Sequence, residues 1–374
     1  MEYIDNFDEV LHQDEQIALD IEKREPWRHF ERHDPFVELN DREFRMQFRF
    51  SKDSVDNLVD LVTPHFPQDD RKHVLTPLQN VLVTLSSLGG DEFQRTSALL
   101  TRCCPKTVSN CVTRTFDALE ALKPDLVYLP TQSEMQDSAN EIKERFNLDT
   151  FPYGIDCVHM IFREKPRNIV GDNAPARFYN RKGRYSLNVQ VIGDAFHRIR
   201  DIDVCYPGCA HDSTIWNYSS ARNHLMRQPY HLAGDAGYPL SETLIKPFAE
   251  PTTSREHLFN HRLSQARVVM TEDLFGIWKR RFPVLTNMRY CHLTAMKAVV
   301  ATAVLMNFSK NEGDDDLEDF LILDEGEMDI ADVIVDDDRR RETVQESGSI
   351  RRDHIVATML PPQNPTKWDI FGRD

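Results

Sequence analysis

Three strand-like segments crowd into little more than fifty residues of this chain, and that crowding limits its fold more than any other feature. GIDCVHMIF (154–162), RYSLNVQVIGD (184–194) and IRDIDVCYP (199–207) are rich in β-branched residues, and only the turn-like AFHR separates the second from the third. HDSTIWNYSSARNHLM then starts with a good N-cap and reads as helix. HLAGD (231–235) predicts a fourth strand, and SETLIKPF a short helix. SQARVVMTEDLFGIWKRRF predicts a long helix with Val268, Leu274, Phe275 and Trp278 turned inward. LTAMKAVVATAVLMNF is apolar enough to close the core as a helix. Three strands, a helix, a strand and then helices describe an α/β fold, a mixed sheet flanked by helices, and exclude a sandwich or a bundle.

Upstream of the sheet the periodicity is helical. Val55, Leu58, Val59 and Val62 share one face of SKDSVDNLVDLVTPHF, and TPLQNVLVTLSSLGG is opened by Pro77 and stopped by Gly89 and Gly90. QRTSALLTRCCPKTVSNCVTRTFDALEAL reads as two helices joined near Cys103 and Cys104, the second carrying Lys106, Thr107, Ser109, Asn110, Thr113 and Arg114. A short helix, a tight turn and a polar-faced helix fit helix-turn-helix grammar; an ordinary helical hairpin with a solvated face fits as well. The Pro-rich PDLVYLP (124–130) marks a boundary. The expected organisation is an acidic segment over 1–50, a helical and helix-turn-helix-like DNA-binding domain over 51–125, a catalytic sheet domain over 150–310, and an acidic, mobile tail over 312–374.

The net charge of −16 argues against nucleic acid until it is mapped. Residues 312–338 hold fourteen acids and no Lys or Arg, residues 1–50 carry a net −7 and residues 339–374 a net +2, which leaves 51–311 at +3. A DNA-handling core is therefore permitted. Seven cysteines without a repeating CxxC read as reduced thiols in an intracellular protein and speak against zinc. No run of eighteen uncharged apolar residues predicts a membrane span, and MEYIDNFDEV lacks the blocks of a signal peptide. The basic triplet Arg339–Arg341 fits either a solvated cluster or a nuclear-import signal.

Four acids fall at strand or helix positions of the predicted sheet: Asp156 in GIDCVHM, Asp212 at the start of the helix after PGCAHDS, Asp235 at the end of LAGD, and Glu272 in MTEDLFG. An acid inside an apolar strand is informative, because an unpaired buried charge costs several kcal/mol or shifts its pKa. Asp156 and Asp235 have that character; the alternative for Asp235, between Gly234 and Gly237, is a plain turn. Neighbouring strands would bring these two together, and the helical Glu272 would reach across. Converging carboxylates without cysteine suit a hard divalent cation, Mg²⁺ or Mn²⁺, and a pair of such ions about 4 Å apart stabilises both the attacking and leaving oxygens of a phosphodiester displacement. His211 beside Asp212 also raises an HD-type phosphohydrolase, but the further histidines such a site needs are not evident. His159 fits either a packed strand histidine or a group orienting a ligand. Arg181, Lys182 and Arg184 read as phosphate contacts or as an exposed turn. Lys279, seven positions after Glu272, falls near the same helical face.

Five ordered blocks, IDCVHM, NRKGRYSLNVQ, DVCYPGCAHDSTIW, LAGDAGYPL and FNHRLSQARVVMTEDLFGIWKRRFPVL, resemble the nuclease domain of the PIF/Harbinger transposases and their HARBI-like domesticated relatives over roughly 150–307. The resemblance implies an RNase H-like fold and a DDE-type metal site, with the family aspartates on Asp156 and Asp235, the glutamate on Glu272 and an additional metal-binding aspartate on Asp212. It implies a divalent-metal-dependent nuclease, a hydrolase acting on ester bonds and transposase-like in its DNA substrate. It also implies a separate Myb/SANT-like partner and a nuclear location, and two DNA ends suggest a homodimer. Lys106, Arg114, Arg181, Lys182, Arg184 and Lys279 are the expected DNA-binding residues. The rival reading is a domesticated, catalytically silent DNA-binding or scaffold protein. Cys209 and Ala236 stand where the family usually has serine.

Overall fold

The computed structural model describes residues 34–67, 75–90, 105–166, 169, 174–314 and 346–359. Among the described residues a one-turn helix (Pro35–Glu38) precedes α1 (Asp41–Phe48), α2 (Lys52–Val62), α3 (Pro77–Gly89), α4 (Pro105–Ala121) and α5 (Gln132–Phe146). It continues through β1 (Tyr153–Ile161), β2 (Ser186–Asp194), β3 (Ile199–Pro207), α6 (Asp212–Tyr218), α7 (Ser220–Leu225), β4 (Leu232–Ala233) and β5 (Leu244–Ile245). The final elements are α8 (Ser254–Val268), a π-helical turn (Val269–Asp273), α9 (Leu274–Arg281), α10 (His292–Glu312) and α11 (Glu346–Thr358). The first helix of the helix-turn-helix reading, over 94–104, and most of the acidic block 312–338 lie outside the described residues.

The sheet runs β3-β2-β1-β4-β5, antiparallel from β3 through β1 and parallel from β1 through β5. This is the expected mixed sheet with flanking helices, an RNase H-like arrangement. Every residue of β2 is buried, as a central strand covered on both faces requires. The β2–β3 turn is held by Asp194, which is fully buried. Its Oδ1 accepts from the Phe196 and Arg198 amides, each at 2.9 Å, and its Oδ2 from Arg200 Nε at 2.7 Å.

Helix α10 buries more residues than any other helix among the described residues. Its Ala and Val run leaves thirteen residues buried, and one continuous hydrophobic cluster joins it to α1–α4 and to one face of the sheet. Asn307 fixes it to β3: its side chain donates to Leu126 O and Ile199 O at 2.7 Å and accepts from Ile199 N at 2.9 Å. Asp314, just past the Gly313 cap, accepts from the Ser51 amide at 2.7 Å and pairs with Arg45. The N-terminal helices and the sheet thus share a core.

Three elements differ from the sequence expectation. SETLIKPF is not a helix: Leu244 and Ile245 form β5 beside β4. Pro247 disfavours helical geometry at Lys246, and Ser241 closes a tight turn through both Ser241 N to Leu244 O and Leu244 N to Ser241 Oγ. HDSTIWNYSSARNHLM forms two helices broken at Ser219, whose backbone is extended. The long helix begins earlier than SQARVV, at Ser254, where Thr253 and Glu256 form a capping box. Within it Leu274, Phe275 and Trp278 are buried as expected, while Val268 is half-buried.

Two segments flanked by charge also fold. Asn40 and Glu43 cap α1 reciprocally, and Phe44 and Phe48, one turn apart, are buried. In the 312–374 segment, α11 packs against β5 and α8: Arg352 lies 3.7 Å over the Phe248 ring, and Gly348 is so close that a Cβ would meet Ser241 Cα at 2.8 Å.

Candidate metal centre

The parallel pairing of β1 with β4 brings Asp156, inside β1, beside Asp235, two residues past the end of β4. Asp212, the first residue of α6, completes the group. One carboxylate oxygen from each of the three lies within 4.8 Å of the others, and all three side chains are half-buried. Octahedral coordination with metal–oxygen bonds near 2.1 Å separates ligand oxygens by about 3 to 4.2 Å, so this all-oxygen set fits a hard divalent cation after small side-chain adjustments.

Each aspartate is oriented. Asp156 Oδ1 accepts from the Cys157 amide at 2.8 Å, and Asp212 Oδ1 accepts from Asn188 Nδ2 at 3.0 Å, the same amide group donating to Ala210 O at 2.9 Å. Asp235 Oδ1 accepts from the Gly237 amide at 3.0 Å. Gly237 therefore serves the aspartate as an Asx-type turn does, so the turn and the metal readings of GDAG describe the same residues. Gly234 serves the sheet instead. A Cβ there would meet Leu244 Cδ2 at 2.7 Å, so the glycine lets β5 approach β4.

The electrostatics are those of crowded acids. Burial, with Asp235 and Asp212 adding repulsion, raises the Asp156 carboxyl to about 8 against the pull of Arg267. Burial also pushes the Cys157 thiol and the Tyr238 hydroxyl well up, and the two touch at 3.3 Å as neutral groups behind the aspartates.

Glu272 stands outside the three-aspartate group and joins it through a residue that the sequence expectation missed. Arg267 Nη1 donates to Asp156 Oδ2 at 2.6 Å and its Nη2 to Glu272 Oε1 at 2.7 Å. Residues five apart diverge on an α-helix but share a face across a π turn, and a π-helical turn spans Val269–Asp273. Room for that turn comes from Gly154 and Gly193, which face each other in the β1–β2 register. A Cβ at Gly193 would meet Met270 O at 2.1 Å, and one at Gly154 would meet Met270 Cβ at 2.9 Å. The arginine lies inside the block FNHRLSQARVVMTED; its spacing of five from Glu272 is not a helical one, and nothing in that block marks the π turn.

The basic residues spread over several elements. Arg181, Lys182 and Arg184 are exposed on a tight turn. Asn180 holds this turn by accepting from the Lys182 and Arg184 amides at 3.0 and 3.1 Å, with Gly183 in the left-handed region. Arg181 Nη2 meets His211 Nδ1 at 3.0 Å, next to Asp212. His159, whose Nδ1 is 3.0 Å from Ser186 Oγ, is linked through that hydroxyl to Asn180 Nδ2 at 3.0 Å. Lys279 is half-buried in α9; on α4, Lys106 is exposed and Arg114 half-buried. Among the described residues no helix is long and apolar enough to cross a membrane.

Residues 155–307 match the family model of the DDE superfamily endonucleases. Among curated proteins, those named "Putative nuclease HARBI1" are similar to this chain: the rat protein (Rattus norvegicus) at 22% identity over 288 residues, and the mouse (Mus musculus) and human (Homo sapiens) proteins each at 23%, covering 74% of this chain and 80% of each relative. No solved structure matches. With a mixed sheet that brings Asp156, Asp212 and Asp235 together, the segment 155–307 is similar to the HARBI-like DDE superfamily endonucleases.

Proposed function

We propose that this chain is a divalent-metal-dependent DNA nuclease, transposase-like in its substrate, that hydrolyses phosphodiester bonds at the cluster of Asp156, Asp212 and Asp235. The observation that carries the reading is the convergence of those three carboxylates from three separate elements. A half-buried cluster of like charges is unfavourable on its own, and a hard cation turns it into a binding site. Asp156, Asp212 and Asp235 would hold Mg²⁺ or Mn²⁺, and Glu272 would complete the acid set, with Asp156, Asp235 and Glu272 the catalytic acids. A divalent ion held there would supply Lewis acidity to the phosphate and activate water for attack.

The chain's own residues position the substrate. Arg181, Lys182 and Arg184 receive the DNA backbone on the turn beside Asp212, and Lys279, Lys106 and Arg114 extend the contact along α9 and α4. The small net charge of residues 51–311 limits nonspecific affinity. That supports a Myb/SANT-like partner that supplies sequence-specific binding and nuclear entry; a homodimer would follow from a transposase-like need to act on two DNA ends.

The test is nicking of supercoiled plasmid in Mn²⁺ or Mg²⁺ by the wild type and by Asp235→Asn. Nicking by the wild type that is lost in the variant supports the nuclease. Metal binding without nicking by either protein, with and without a Myb/SANT-like partner, overturns catalysis in favour of a scaffold.

A further inference from the structure

Arg267 is 8% exposed, yet its two arms reach two acids of the site, Asp156 at 2.6 Å and Glu272 at 2.7 Å. Bidentate guanidinium–carboxylate contacts are short, directional and stronger than neutral hydrogen bonds. Here the fork bridges two different carboxylates, one on β1 and one on the π turn. Its cation supplies the positive charge that three crowded aspartates and a nearby glutamate require. In doing so it holds Asp156 Oδ2 and Glu272 Oε1, oxygens that a divalent ion at this site would also attract.

We propose that Arg267 is a built-in counter-ion that competes with the divalent metal for Asp156 and Glu272. The inference rests on the metal-site reading above. Metal loading then requires the fork to withdraw from at least one carboxylate, and Glu272 joins the three aspartates only when Nη2 lets go. A guanidinium does not deprotonate at working pH, so the exchange is a movement of the side chain and not a proton transfer. Arg267 is a positioning residue: without metal it keeps the acids from repelling one another, and with metal its charge opposes the ion. The π turn is what permits the exchange, because it holds both ends of the Arg267–Glu272 contact on the face toward β1.

The experiment uses the full chain and Mn²⁺ as the probe, with free Mn²⁺ followed by electron paramagnetic resonance and melting temperature recorded with and without the ion. Arg267→Gln removes the charge; Arg267→Lys keeps a cation but loses the fork. The expected result is Mn²⁺ affinity at least about tenfold tighter in Arg267→Gln than in wild type, with a smaller gain in Arg267→Lys. The variants' metal-free melting temperatures fall, and their rise on adding Mn²⁺ is larger than that of wild type. If Arg267→Gln does not fold, Arg267→Lys decides alone by the same sign. Binding that is equal or weaker in the folded variants while wild type binds Mn²⁺ overturns the competition and leaves Arg267 as a brace for the ligands. No binding by wild type or by any variant overturns this inference together with the metal-site reading.

Discussion

Gly193→Ala is a sharp test of how the sheet holds the Glu272 segment. The added Cβ would lie 2.1 Å from Met270 O and 2.7 Å from Leu274 Cδ2. A relaxed carbon–oxygen contact is about 3.3 Å, so the carbonyl has to retreat by roughly 1.2 Å. It belongs to the backbone of the π turn and is not a free side-chain end, so the whole turn moves. Overpacking of this kind costs about 1–3 kcal/mol, and each kcal/mol lowers the melting temperature of a domain this large by about 2–4 °C. A shift of that size also breaks the 2.6 and 2.7 Å contacts of Arg267, and an ångström of misplacement costs about a hundredfold in rate. Calorimetric melting and plasmid nicking measure the two effects. Gly276→Ala is the control: its Cβ meets nothing within 4 Å, so alanine in α9 raises stability by about 0.5–1 kcal/mol. Wild-type melting and wild-type nicking in Gly193→Ala would refute the account of the glycine pair.

Asp194→Asn removes the shorter of the buried Arg200's two ion pairs, leaving the 3.3 Å pair with Glu134, and destabilises the chain by up to about 3–5 kcal/mol in denaturant titration. Burial, with Arg351 adding to it, lowers His231 to about 4, while its unfolded value is near 6.5. Below 6.5 the unfolded state takes up the proton first, so this histidine's contribution to stability is lost as pH falls from 6.5 toward 4, by up to about 1.4 kcal/mol per pH unit. Subtracting the stability of His231→Gln from that of wild type across this range isolates the slope, and a flat difference would contradict it. Arg181→Ala weakens DNA binding equally across sequences and reduces the salt dependence by about one phosphate contact; an unchanged salt slope would remove Arg181 from the interface.

Much of the site is legible in the sequence because charge stands out in apolar strands. Asp156 in GIDCVHM and Asp235 after LAG betray themselves by position, and the structure brings them together with Asp212 as strand adjacency suggests. The Glu272 connection is hidden because it depends on a π turn, which no helical spacing rule marks, and on Gly154 and Gly193, whose purpose shows only once β1 and β2 are paired. Strand β5 escapes a sequence reading because Leu244 and Ile245 are too few to show alternation. Helix α1 and helix α11 are obscured by flanking charge: their apolar contacts, Phe44 and Phe48 in one and Val356 in the other, carry little weight in segments that read as acidic ends.

Asp156, Asp212 and Asp235 are proposed to act as one site for a hard divalent cation. Calorimetric titration of Mn²⁺ into wild type and Asp235→Asn, with circular dichroism to verify folding, tests it most directly. The expected result is saturable binding by wild type that weakens at least about tenfold when the Asp235 charge is removed. Equal affinity in the two folded proteins, or no binding by wild type, would contradict it.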